Sequence, residues 1–250
     1  MVTWTIEPIP LYRFRVPGPE VLFQRAFGET IDMMIYAFLL RGGGHTVLVD
    51  TGLHADHEEL NRAIRARKGD DAGFVACGDG LAEELTRRSA VPELVVATSF
   101  GPYAVGGLDR LPASPVVASA RGLRDMARLE EPALAHPVPP VAAARLREAR
   151  GIDGEADLLD GLNFIETGIH HPASAAVLVR TAAGVVAIVD PVFVARNLID
   201  GLALGAAEFA GGWHRLVRML GARADAILPI HDPEPIPVPR ERWHATLRAA

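Results

Sequence analysis

The sequence predicts an α/β fold, and three observations carry that expectation. The chain has 250 residues, a length that suits one large α/β domain able to bury a large core. Its composition, 49% hydrophobic and 22% charged, is that of a globular protein. Short β-rich runs recur along it, separated by turn residues or by helical patterns.

In chain order those runs are IYAFLL (35–40), HTVLVD (45–50), ELVVAT (93–98), SPVVAS (114–119), LNFIET (162–167), AAVLVRT (175–181), GVVAIVD (184–190) and ADAILPI (224–230). After the second run, Asp56-His57-Glu58-Glu59 reads as a helix start, with Asp56 as N-cap and Glu59 placed for a capping box. That helix runs through Leu60 and Ile64 to a basic end at Arg65, Arg67 and Lys68 before Gly69. Further helices are expected near 79–89, 119–129, 194–200, 207–220 and 239–248. The 130–161 stretch is rich in Pro and Ala and then in charge, so it reads as an irregular insertion, or a lid, with a short basic helix bearing Arg145, Arg147 and Arg150 as a solvated face. No internal repeat, heptad pattern or low-complexity tail divides the chain, so residues 1–250 are expected to form one domain.

A net charge of −6 offers no broad electrostatic footprint for nucleic acid, which leaves small molecules or proteins as the expected partners. The N-terminal MVTWTIEPIPLYRFRVPG lacks an apolar core of signal-peptide length, and the strongest apolar run, MMIYAFLL, is too short to span a bilayer. No membrane association is expected. The sole cysteine, Cys77, excludes an internal disulfide and fits a reducing compartment, so the cytoplasm is the expected location, although a disulfide-free exported protein would look the same. Cys77 itself, between Ala76 and Gly78, reads as a packed thiol.

Several strand ends deliver polar residues into loops: Asp50, His170 with His171, Asp190, and His231 with Asp232. α/β scaffolds assemble sites from such groups at the ends of separate strands. One loop differs. VVATSFGPYAVGGLDRLP (95–112) leaves a buried strand and breaks into glycine, proline and small residues, yet no His, Cys, Asp or Glu occurs between Val95 and Leu108.

These residues resemble a family. VLVDTG at 47–52, Thr98 with Gly106-Gly107, TGIHHPAS at 167–174, VDPVF at 189–193 and LPIHDP at 228–233 follow the order and spacing of the metallo-β-lactamase fold, from about Ile35 to Pro233. Asn197-Leu198 and His231-Asp232-Pro233 are similar to its lactonase-like branch. The resemblance implies an αββα sandwich, two mixed β-sheets flanked by helices, with a cleft at one edge where the loops after Asp50, Thr98, Thr167, Asp190 and Ile230 converge. Family habit suggests a homodimer.

In that family the pattern Thr-His-x-His-x-Asp-His-x-Gly-Gly supplies four metal ligands, and laid on Thr98 to Gly107 those positions hold Ser99, Gly101, Tyr103 and Ala104. The resemblance therefore implies that the His-x-His-x-Asp-His motif is lost while its flanking Thr and Gly-Gly are kept. Three positions of the metal set persist: His170, Asp190 as the bridging carboxylate, and His231. They imply at most one divalent ion (zinc, manganese or iron), or none, because catalytic zinc commonly has three protein ligands plus water and two His with one carboxylate also suit Fe(II). His54 and His57 are placed to lean into the same cleft as replacement ligands, against which stands the helix start around Asp56.

The resemblance makes Asp50 the structural Asp that orients a ligand histidine, and with that partner gone it reads as a turn residue bonding the backbone of Thr51-Gly52. His171 reads as a rim residue, since successive residues generally point apart. Tyr103 reads either as an acid or anion stabiliser or as an aromatic filling the space of two imidazoles. Ser99 has no activating base nearby in sequence. His45, His136, His214 and His244 lie outside the motifs.

Three functions follow. The first is a divergent hydrolase of a small lactone, ester or amide with one metal at His170, Asp190 and His231. The second is a metal-free pseudoenzyme that binds a small molecule or partner. The third is metal-free acid–base catalysis by His170, His231 and Asp190 with Tyr103 assisting.

Overall fold

A computed structural model of the protein describes residues 1–54, 57–111, 113–126 and 140–248. Asp56, the expected cap, lies outside the described residues, as do 127–139, which hold His136 and the start of the 130–161 stretch. The described residues form thirteen strands in two sheets with helices outside them.

The first sheet has the order β4-β1-β2-β3-β5-β6-β7. Its strands are β1 (Thr5–Pro17), β2 (Thr30–Gly42), β3 (His45–Val49), β4 (Val75–Ala76), β5 (Leu94–Val96), β6 (Val116–Ser119) and β7 (Arg150–Ile152). From β3 through β7 the pairing is parallel, whereas β1, β2 and β3 run antiparallel. The second sheet, ordered β13-β12-β11-β10-β9-β8, comprises β8 (Glu155–Leu159), β9 (Leu162–Glu166), β10 (Ala175–Thr181), β11 (Gly184–Val189), β12 (Ala226–Pro229) and β13 (Val238–Pro239). Only β11 and β12 pair in parallel there.

The continuous apolar runs are explained by burial on both faces. Successive side chains point to opposite sides of a strand. Along β2, Tyr36, Phe38 and Leu40 join the core between the sheets, while Ala37 and Leu39 face the core beneath the outer helices. Val47 and Val49 of β3 divide from Leu48 in the same way. The second sheet is covered by the helix Trp213–Gly221, which buries Trp213, Leu216, Val217 and Leu220 at i, i+3, i+4 and i+7. Full burial of each such side chain contributes roughly 1.5–3 kcal/mol.

All eight expected strands are present. The structure adds β1, β4, β7, β8 and β13, and it corrects the reading of 150–161. That segment is no irregular insertion: β7 closes the first sheet, β8 the second, and the chain crosses between them at Gly154, whose φ of 74° suits glycine. Arg150 accordingly belongs to a strand, while Arg145 and Arg147 lie on the helix Pro140–Arg147. The helix expected from Asp56 spans Glu58–Lys68, and the one expected at 239–248 is two short pieces, Arg240–Arg242 and Ala245–Arg248. No helix among the described residues is long and apolar enough to cross a membrane.

Asn197 ties the helix Ala195–Ile199 to its surroundings. Its Oδ1 accepts from the backbone N–H groups of Phe193 (3.2 Å) and Val194 (3.0 Å), and its Nδ2 donates to the carbonyls of Val21 (2.9 Å) and Leu202 (3.0 Å). The side chain is completely buried. Removing it strands several buried backbone groups at about 1–3 kcal/mol each, so Asn197→Ala is expected to cost about 3 kcal/mol or more, read as a lowered urea midpoint at unchanged slope.

Candidate functional site

The site is assembled where β3, β5, β9, β11 and β12 end. Asp50, just past β3 with φ 58°, is buried and turns its carboxylate to Thr98, accepting from the Thr98 N–H (2.8 Å) and Oγ1 (2.6 Å). This corrects the expected bond to Thr51-Gly52: the partner lies just past the end of β5, the neighbouring strand. Burial pushes the Asp50 carboxyl up to about 7, with the two Thr98 bonds opposing and the Asp190 charge adding.

The loop after Thr98 fastens itself to residues 51–54. Ala104 O accepts from Thr51 N (2.6 Å) and Thr51 Oγ1 (2.9 Å), and Gly107 N donates to Gly52 O (2.9 Å). A Cβ on Gly106 would stand 2.4 Å from His54 N, and one on Gly107 2.3 Å from Thr51 O. The glycine pair is therefore required by close backbone approach. Tyr103 stacks on Phe14 (5.8 Å between centroids) and meets Phe74 (5.6 Å) and His231 (6.4 Å) edge-on, the aromatic filling that the sequence suggests; burial pushes its phenol up, so it stays protonated.

Ser99 and His171 are both buried, and His171 Nε2 lies 2.7 Å from Ser99 Oγ. His171 is therefore no rim residue. Its tautomer follows from its other nitrogen: Ala173 N–H donates to Nδ1 (3.2 Å), which leaves the proton on Nε2 to be donated to Ser99. Gly101 N–H also donates to Ser99 Oγ (3.1 Å). His171 is thus a donor to Ser99 and not a base for it, which removes Ser99 as an activated nucleophile in this arrangement.

Asp190, at the end of β11, is the buried anion of the site. Ser174 Oγ donates to its Oδ2 at 2.5 Å, and His170 Nδ1 lies 3.2 and 3.3 Å from its two oxygens. Burial pushes its carboxyl up, but the charge and hydrogen bond of His170, then His171 and Ser174, outweigh this and hold it below its ordinary value. His231, after β12, donates from Nδ1 to Met34 O (2.7 Å) and presents Nε2 as a lone-pair nitrogen. Burial depresses its imidazole to about 4, only partly offset by the Met34 bond and Asp190, with His170 depressing it further.

His170, His171 and Asp190 each offer a ligand atom, and these lie within 4.8 Å of one another, the group of described residues that could hold a metal ion. His231 stands outside it; Phe193 packs edge-on against both His170 (5.2 Å) and His231 (4.8 Å). His54 pairs with Asp109 (3.4 Å), and His57 packs on Tyr12 (4.9 Å) and lies 3.0 Å from His54 O, so neither is brought to the group. Cys77 is exposed, contrary to the packed thiol expected. One ion fits His170 and Asp190, and reaches the three protein ligands usual for catalytic zinc if His171 exchanges Ser99 for the metal.

Fold and site together define the class: a metallo-β-lactamase-like αββα sandwich with a His/Asp centre at the strand ends. Among solved structures, the chain is similar to a quorum-quenching N-acyl homoserine lactone lactonase (TM-score 0.75, 16% identity, 94% of each chain covered). It is similar also to an N-acyl homoserine lactone hydrolase with N-hexanoyl-L-homoserine at its catalytic metal centre (TM-score 0.76, 16% identity, 94% of this chain and 95% of that one). A probable metal-dependent hydrolase from Staphylococcus aureus shares the fold at 8% identity (TM-score 0.68, 93% of this chain and 91% of that one). No family model and no curated protein sequence matches the chain.

Folding shifts Asp50 and His231 in opposite directions, which gives a pH signature. Asp50 holds a proton in the folded state between 3.8 and about 7 where the unfolded chain has lost it, so its contribution to stability is lost as pH rises through that window. The unfolded chain protonates His231 between 6.5 and about 4 where the folded state does not, so stability is lost there as pH falls. In the wild type these slopes oppose each other. Asp50→Asn removes the first, and urea unfolding between pH 4 and 6.5 should then show stability rising by roughly 3 kcal/mol more steeply than in the wild type. Parallel profiles for the two proteins would mean that Asp50 is ionised throughout.

Proposed function

We propose that the protein hydrolyses a small lactone, ester or amide, with His170 as the general base on water and Asp190 as the carboxylate that orients it. One observation carries this reading: the His170 side chain is 21% exposed while that of Asp190 is 2% exposed, so an imidazole within reach of solvent is paired through Nδ1 with a buried anion. With the proton on Nδ1 facing Asp190, Nε2 is the nitrogen that takes a proton from water as the water attacks the substrate carbonyl. Asp190, held by Ser174, stabilises the imidazolium that forms, and Nε2 then returns the proton to the leaving oxygen or nitrogen. The likeness to lactonases supports lactones as the first substrates to try.

The cluster of His170, His171 and Asp190 favours a one-metal variant of the same reading, in which zinc, manganese or iron(II) would polarise the carbonyl.

The test is turnover of N-acyl homoserine lactones and p-nitrophenyl esters with and without EDTA, in the wild type and in His170→Ala. Turnover that survives EDTA and falls about 10²–10⁴-fold in the variant, with KM little moved, is the expected result. Activity lost to EDTA and restored by an added ion selects the one-metal variant. Thermal stabilisation by these compounds without turnover would sink both and leave a binding protein.

A further inference from the structure

A cavity of about 510 Å³ is lined by β1, β2, β4, the helix Glu58–Lys68, the turn at Asp70–Ala72 and Pro233, and none of His170, His171, Asp190 or His231 lines it. It has the size of small-molecule sites, roughly 300–1,000 Å³. Its wall joins apolar surface to charge. Met34, Arg13 and Val75 are register partners across β2, β1 and β4, so they stand side by side on one sheet face, and Pro233 extends the apolar part. Val75 is 43% exposed, apolar area without a cover.

The charges are unevenly matched. Arg15 is paired with Asp32 (3.0 Å) and more loosely with Asp71 (3.7 Å), but Arg13 and Arg65 have no carboxylate partner among the described residues. The lining is neutral overall, with three guanidiniums (Arg13, Arg15, Arg65) and three carboxylates (Asp32, Asp70, Asp71), but two of the carboxylates share Arg15, which leaves Arg13 and Arg65 as the guanidiniums outside an ion pair. A neutral lining with two guanidiniums outside an ion pair tolerates a monoanion better than a dianion. Arg65 is also held in place. One turn before it, buried Asn61 accepts from Phe74 N (2.8 Å) and donates to Phe74 O (3.4 Å), clamping the helix to Gly73-Phe74. A Cβ on Gly73 would stand 2.2 Å from Arg65 Nε, so the bare glycine is what lets the guanidinium lie there.

We propose that this cavity binds a monocarboxylate carrying an apolar chain, its carboxylate between Arg13 and Arg65 and its chain over Met34, Val75 and Pro233. Planar guanidinium matches carboxylate geometry through paired hydrogen bonds. The proposal does not depend on hydrolysis at His170.

Isothermal titration of the intact protein with octanoate, octanol, octylamine and octyl phosphate tests it. Octanoate should bind, octanol and octylamine should not, and octyl phosphate should bind more weakly. Arg65→Met and Arg13→Met should each weaken octanoate about tenfold or more, the worth of one charge-assisted hydrogen bond. Gly73→Ala should weaken it too by displacing Arg65, and His170→Ala should leave it unchanged. Circular dichroism and unliganded Tm establish that each variant is folded. No octanoate binding, equal binding by folded Arg65→Met and Arg13→Met, or binding lost in His170→Ala would each overturn the assignment.

Discussion

A buried carboxylate at the end of β11 is the constraint around which the site is organised. An ionised group out of water is costly unless it is paired and hydrogen-bonded. Asp190 meets that condition with Ser174 and His170, and its own N–H donates to Ala175 O (3.1 Å). Ala175 N in turn donates to Thr98 O (2.8 Å), and Thr98 is the residue that Asp50 holds from β3. A single run of hydrogen bonds thus joins the second sheet to the first. The loops at the strand ends take their positions from the need to satisfy two buried acids.

That run also explains how the loop after Thr98 keeps its shape without His, Cys, Asp or Glu up to Leu108. Its carbonyl at Ala104 and its amide at Gly107 bind the 51–52 turn, and Tyr103 adds a ring to the Phe14–Phe74 cluster. Aromatic pairs of this kind contribute about 0.5–1.5 kcal/mol beyond the area they bury. Ser99 uses its hydroxyl within the loop and on His171, so it too is spent on structure. What the sequence shows as a glycine-rich loop lacking chemistry is, in the fold, a fastening between β3 and β5.

Much of this was legible in the residues. The eight apolar runs read as strands because both faces of each are buried, which removes polar interruptions. β1 escaped that reading because Pro8, Pro10 and Pro17 and its exposed arginines break the apolar pattern, although as a strand paired by long β2 it tolerates them with a register shift between Pro10 and Tyr12. β7 and β8 escaped because they close their sheets with exposed or half-buried residues such as Arg150 and Glu155. His170, Asp190 and His231 could be named as candidates, but the pairing of Asp50 with Thr98 and of His171 with Ser99 spans 48 and 72 positions, beyond any local rule. Adjacent histidines do point apart, to Asp190 and to Ser99, yet neither is a rim residue on that account: Ser174 N donates to His171 O and His171 N donates to Ser174 Oγ, a turn that buries the His171 ring and leaves His170 part-buried.

The two buried acids resolve their proximity by taking different states. Asp50 has only neutral partners in Thr98, so burial dominates and its proton is retained up to about 7. Asp190 has imidazole partners, so its charge is retained instead. Environments that push two titratable groups apart assign their roles: Asp190 is the carboxylate able to balance charge arising on His170, and Asp50 is a neutral strut below that pH. Exchanging those surroundings would put an uncompensated anion beneath the loop and leave His170 without a counter-charge, so the division of labour rests on Thr98 and Ser174 as much as on the acids themselves.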